Sequence, residues 1–173
     1  MTGDVDFENA VAPMTGAPDG TAYDLCGPDG APLIVLIHGL GLRRAVWQWL
    51  LPELAGRYRL FSYDLLGHGA SSAPPSNPTL MTLSEQLGRL LDHLSVEKAA
   101  IIDFSLGVMG ARRFAQDPPD RVSALGILHS PHKRSKAAQA AIVARVKQAK
   151  SEAPAAVNAP LVAFLDRHLG QRA

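Results

Sequence analysis

Four short apolar runs set the limits on this chain: Pro32 to Ile37, Tyr58 to Tyr63, Ala99 to Phe104 and Val122 to Leu128. Runs of this length, apolar at nearly every position, belong to strands covered on both faces. Between them the apolar spacing turns helical. It is carried by Val46, Trp47, Leu50, Leu51 and Leu54, with Pro52 as a kink or boundary. It returns at Leu83, Leu87, Leu90, Leu91 and Leu94, and again at Val108, Met109, Ala111, Phe114 and Ala115. Thr82 with Glu85 has the form of a capping box. Strands alternating with helices predict an α/β fold, a mostly parallel sheet with helices on both faces. Ligands bind such sheets at the carboxyl ends of the strands. The unusual clusters of this chain lie there: His38-Gly39, Asp64 to Gly69, Ser105 and His129.

Ala99 to Gly107 is the most informative of these ends. An apolar strand run stops at Ser105, glycine follows two residues later, and helical spacing begins at once. Strand, sharp turn and helix with serine at the apex is the form of a nucleophile elbow. Such a turn lifts the hydroxyl clear of the sheet. It also brings the next N–H, that of Leu106, to the spot where an oxyanion develops. The pattern G-x-S-x-G has Asp103 in place of its first glycine. Taken alone, the stretch reads equally as a buried strand followed by a serine helix cap.

The flanks say less. Phe7 to Val11 and Thr21 to Leu25 read as short strands, with turns at Pro18-Asp19-Gly20 and Gly27 to Gly30. Residues 132–150 carry Lys133, Arg134, Lys136, Arg145, Lys147 and Lys150 opposite an apolar stripe, which predicts a helix with a solvated basic face. Residues 154–169 read as a second short helix. With 173 residues, one domain is the expectation. No apolar run approaches 18 residues, so no membrane span is expected. A net charge of +1 gives nucleic acid or membrane little to bind. Cys26 has no second cysteine to pair with, and Met1 to Ala10 lacks the layout of a signal peptide; both point to a cytoplasmic location.

Three motifs together carry a resemblance: Ile37-His38-Gly39-Leu40-Gly41, then Asp64 to Ser71 as D-x-x-G-H-G-x-S, then Phe104-Ser105-Leu106-Gly107. In that order, at successive strand ends, they resemble the serine hydrolases of the α/β-hydrolase fold. The stretch from Leu40 through Trp47 to Pro75 is similar to the 3-oxoadipate enol-lactonase branch and its ester and lactone hydrolase relatives. The resemblance covers roughly residues 20–135. It implies Ser105 as nucleophile and the N–H groups of Leu40 and Leu106 as oxyanion donors. It makes His38 a support of the oxyanion loop and Asp64, Gly67, His68 and Gly69 a structural loop beside the pocket. It implies no cofactor, and a small-molecule ester or lactone as partner. Residues 1–131 correspond to the N-terminal part of the hydrolase core and 132–173 to the start of a helical cap.

The same resemblance implies an incomplete fold. The family order is nucleophile, acid, histidine, and about 200–250 residues make a complete domain of this kind. The last two strands, the triad acid and the triad histidine are expected to be absent. Where a triad acts as a unit, losing the base costs on the order of 10⁶ in kcat. His129 and His132 are candidate surrogates beyond the last strand, with His93 and His168 elsewhere; each also reads as a structural or exposed histidine. Asp103 would disfavour a nearby oxyanion by repulsion, unless it turns aside to hydrogen-bond backbone N–H groups. Two functions follow: an ester or lactone hydrolase, or a catalytically weak or inactive hydrolase-like module acting through assembly or binding. A basic nucleic-acid binder through 132–150 is a third and weaker reading. Strand 122–128 would present an unpaired apolar edge, so a homo-oligomer or a complementing chain is expected there.

Overall fold

The computed structural model describes residues 14–116 and 119–128. Six strands form one sheet: β1 (Met14–Thr15), β2 (Ala22–Cys26), β3 (Leu33–Ile37), β4 (Arg59–Tyr63), β5 (Ala99–Phe104) and β6 (Val122–Leu128). Their order across the sheet is β1-β2-β4-β3-β5-β6. Neighbours among β3, β4, β5 and β6 run parallel, while β2 pairs antiparallel with β4 and with β1. The mostly parallel α/β sheet is therefore as expected. The strand expected at 7–11 and the segments 132–150 and 154–169 lie outside the described residues, as does the cap region 132–173.

Alternation along each strand divides the core. Val35, Ile37, Phe61, Tyr63 and Ile101 face helices α2 (Leu80–His93) and α3 (Leu106–Gln116), meeting Leu87, Leu90, Leu91, Ala111 and Phe114. Ile34, Leu36, Leu60, Ala100 and Ile102 face the other way, against Trp47, Leu50, Leu54 and Tyr58. The helical spacing over Arg44–Leu54, with Pro52 expected as a kink or boundary, folds as two short pieces. A 3₁₀ turn spans Arg44–Trp47, and helix α1 spans Leu51–Leu54 with Pro52 in its first turn. Proline has no N–H to give to the preceding turn, so the helix restarts at the proline instead of running through it.

Helix α2 begins three residues earlier than the Thr82–Glu85 pattern implies. Thr79 is the N-cap, and its N–H donates to Thr82 Oγ1 at 3.0 Å. Thr82 is thus the returning half of the box, not its start. At the other end Val96 N–H donates to Leu91 O at 2.9 Å and Ser95 N–H to Asp92 O at 3.0 Å, a Schellman closure. It requires the left-handed conformation at Ser95, which has φ 53°. A residue with a Cβ is strained there. Ser95→Gly is expected to raise unfolding stability by about 1 kcal/mol, read from the urea midpoint at unchanged slope; an unchanged or lowered midpoint would show that the closure carries no strain.

Candidate active site

Ser105 occupies the junction between β5 and α3, where φ is 56°. For a residue other than glycine, asparagine or aspartate this conformation is uncommon and costly, and strain of this sort gathers at functional positions. The turn is closed from both sides by glycine. A Cβ on Gly39 would come 3.0 Å from Ser105 Cβ and 2.9 Å from Phe104 Cδ1. A Cβ on Gly107 would come 2.9 Å from Ile37 Cγ2 and 3.1 Å from His38 O. Only residues without side chains let the β3 tip and the first turn of α3 approach this closely.

The loop after β3 has one fixed peptide. Gly39 O accepts from His38 Nδ1–H at 2.8 Å and from Leu42 N–H at 3.2 Å. The peptide unit is planar and trans, so the Leu40 N–H points opposite to that carbonyl, away from the His38 ring. It donates to no backbone acceptor among the described residues. Leu106 is the first residue of α3, so its N–H has no partner inside the helix. The Leu40 side chain is largely exposed.

His38 is fully buried and uses both ring nitrogens: Nδ1–H donates to Gly39 O, and Nε2 accepts from Leu65 N–H at 3.0 Å. This pattern fixes a neutral ring with its proton on Nδ1. Burial, against the opposing pull of the Gly39 carbonyl, lowers its pKa. The ring props the Gly39 loop against the loop after β4 and has no nitrogen left for a base. Among the described residues no hydrogen bond reaches Ser105 Oγ. The other described histidines have partners of their own. His68 Nδ1 lies 3.3 Å from Leu66 O, and His93 Nε2 lies 3.3 Å from Tyr23 O–H. His129, His132 and His168 lie outside the described residues.

The loop from Asp64 to Ser72 is held from three directions. The buried Asp64 carboxylate accepts from Arg44 N–H and Arg44 Nη1, each at 2.6 Å, and from Ala70 N–H at 2.9 Å. Arg44 Nε reaches Asp24 at 2.8 Å. Gln86, buried on α2, donates to Thr21 Oγ1 and Asp64 O and accepts from Leu66 N–H. Ser71 Oγ donates to Asp64 O at 2.7 Å. Gly69 has φ 53°, and a Cβ on it would overlap the Asp64 carboxylate. Arg44, Gln86 and Asp24 were not singled out by the sequence, because nothing in their spacing marks them.

Asp103 is the fifth residue of β5. Its carboxyl is fully buried, and neither oxygen has a hydrogen-bond partner. The alternative of an aspartate turned onto backbone N–H groups is not what forms. Asp103 pairs with Ile37 on one side and Ile127 on the other, so the ladders of β3 and β6 engage the nearby main chain. Burial pushes its pKa up to about 7, with Arg112 pulling the other way. Of the two tryptophans, Trp47 is core, while Trp49 is 63% exposed.

A known family matches residues 32–170, described as the alpha/beta hydrolase fold. The chain belongs to the alpha/beta hydrolase fold family. 3-Oxoadipate enol-lactonase 1 of Acinetobacter baylyi is 39% identical over 85 residues, covering 49% of this chain and 32% of that protein. The magnesium-chelatase 30 kDa subunit of Rhodobacter capsulatus is 38% identical over 94 residues, covering 54% and 33%. The crystal structure of a hydrolase from Pseudomonas aeruginosa superposes with a TM-score of 0.65 at 34% identity, over 80% of this chain and 53% of that one. The chain spans about a third of the length of these curated relatives and about half of that solved hydrolase. Among the described residues no helix is long and apolar enough to cross a membrane.

Proposed function

We propose that the chain serves hydrolysis of carboxylic esters or lactones, with Ser105 as nucleophile. Ser105 Oγ attacks the carbonyl carbon, and its proton passes to a base. The carbonyl oxygen takes the negative charge beside the N–H groups of Leu40 and Leu106. The C–O bond to the leaving alcohol then breaks as the base hands it the proton. Water, giving a proton to the same base, attacks the acyl–Ser105 ester, and the acid leaves as the proton returns to Ser105 Oγ. Support comes chiefly from one observation: the left-handed Ser105 at a strand–helix crest, with Gly39 packed against its Cβ. The enol-lactonase among the relatives supports the substrate class. The base is a histidine outside the described residues or one on a second polypeptide. A single cysteine fits a reducing cytoplasm.

One observation favours a second reading, a non-catalytic module acting by assembly or binding. The three described histidines all have other partners, and none is hydrogen-bonded to Ser105 among the described residues. A fluorophosphonate probe separates the two. The native chain is expected to label, and Ser105→Ala to lose at least about 99% of the labelling, the scale of losing an essential catalytic group. A native chain that stays unlabelled while folded would leave the binding module standing.

Assembly has its own test. Among the described residues β6 pairs only with β5, and Ile127 on it is exposed. We propose a homo-oligomer, or a complementing chain, joined along Val122–Leu128. Light scattering after size exclusion is expected to show a mass above that of one chain, or a shift toward one when a lysine replaces Ile127; a monomer at every concentration up to about millimolar loading counts against it.

A further inference from the structure

The mechanism above leaves Asp103 unused, although it sits on β5 two residues before Ser105. It shares the sheet face of Ala99 and Ile101, which packs under α2 and α3. Its register neighbour Ile37 is also the residue on which Gly107, in the first turn of α3, is seated. Asp103, Ile37 and Gly107 therefore form one continuous floor beneath the elbow. Two other charged or titratable groups act on Asp103: Arg112 of α3, whose charge favours the carboxylate, and Tyr63 of β4. Strands β3 and β6 bring none, being LIVLI and VSALGIL. The charged groups of α2 are paired at the surface: Glu85 with Arg89, Arg89 with Asp19, and Asp92 with Arg121. His93, at the end of α2, meets Tyr23.

We propose that Asp103 is a proton switch for the elbow, a positioning residue that keeps α3 seated and Ser105 at the crest while it carries its proton, and lets the first turn of α3 lift when it does not. A neutral carboxyl among isoleucines is tolerable; a carboxylate there with no hydrogen bond must gain water or a cation. In this proposal the opening is placed at the first turn of α3, which rests on Ile37 of β3 through Gly107. Lifting it admits water to the charge, while Arg112, exposed on the outer face of the same helix, acts on it only through its field. Because burial places the change near pH 7, the switch operates in the ordinary range. It deepens the reading of Ser105 as nucleophile and rests on it for any effect on turnover. The seating of α3 does not depend on whether Ser105 reacts.

Amide hydrogen exchange on the full chain tests this, with intrinsic rates removed and α2 as internal reference. From about pH 6 to about pH 8.5, protection at Leu106 to Gly110 is expected to fall about tenfold relative to α2, a local opening and not a global one. The midpoint should lie near 7. Asp103→Asn abolishes the transition, and Arg112→Gln moves its midpoint to higher pH. Should the asparagine variant fail to fold, Asp103→Gly serves, and the Asp103 carboxyl carbon in the native chain is followed by NMR. Protection independent of pH, a transition that survives removal of the carboxyl, or a carboxyl titrating near 4 overturns the switch. Failure of the fluorophosphonate probe alone overturns the nucleophile and leaves the switch intact.

Discussion

Arg44→Leu is expected to cost about 3–5 kcal/mol of unfolding stability, the range found when one partner of a buried ion pair is removed. The Asp64 carboxylate is fully buried, while the Arg44 side chain is 17% exposed. Arg44 supplies two of the three donors to Asp64, one from its main chain and one from its guanidinium. Without the guanidinium, Asp64 keeps the two backbone N–H groups and loses its countercharge. Asp24 also loses its contact with Nε. Arg44→Lys keeps a charge but cannot span both carboxylates from one planar fork, so an intermediate loss is expected. Arg44→Leu with Asp64→Asn should be less destabilised than the sum of the two single changes, because the fully buried position 64 then carries no unpaired charge. A single-variant loss below about 1 kcal/mol would put the pair in the class of surface salt bridges. Urea midpoints at constant slope decide between the two.

The elements that carried clear punctuation could be read from the sequence to the residue. β5, α3 and β6 run at 99–104, 106–116 and 122–128 because Ser105-Leu106-Gly107 and Pro118-Pro119 end their patterns sharply. β1 has only two residues, too few to show a period. The start of α2 was hidden because Leu80 and Met81, 39% and 44% exposed, lie off the buried stripe. At the candidate site the serine and the glycines were legible, since a tight crossing needs those residue types. The anchors of the Asp64 loop were not. Arg44 and Gln86 meet it across about 20 residues of chain, and a lone arginine or glutamine has no local pattern. Asp103 was visible as a departure from the motif. Its lack of partners followed only from the register of β5 between β3 and β6.

Removing that carboxyl by Asp103→Ala is expected to reverse the ranking of variant and native chain with pH. The group's ordinary value is 3.8, and burial raises it to about 7 in the folded state. Between these values the folded chain holds a proton that the unfolded chain has released. Native stability is therefore free of this penalty below about pH 4, falls as pH rises toward about 7, and is level above. At about 1.4 kcal/mol per pH unit, the fall is on the order of 4 kcal/mol, a large share of the 5–15 kcal/mol typical of a domain. His38 works in the opposite sense. Its pKa is lowered by burial from 6.5, so its contribution is present above that value and lost as pH falls. It does so equally in both proteins and cancels in their difference. The alanine variant should accordingly be the more stable above about pH 7, by up to a few kcal/mol. Near pH 4, where the native carboxyl is neutral, the missing atoms leave a small void and the variant should be no better than the native chain. Urea unfolding across this range is the measurement. Two curves that stay parallel would mean that the carboxylate finds water or a partner in the folded protein without cost.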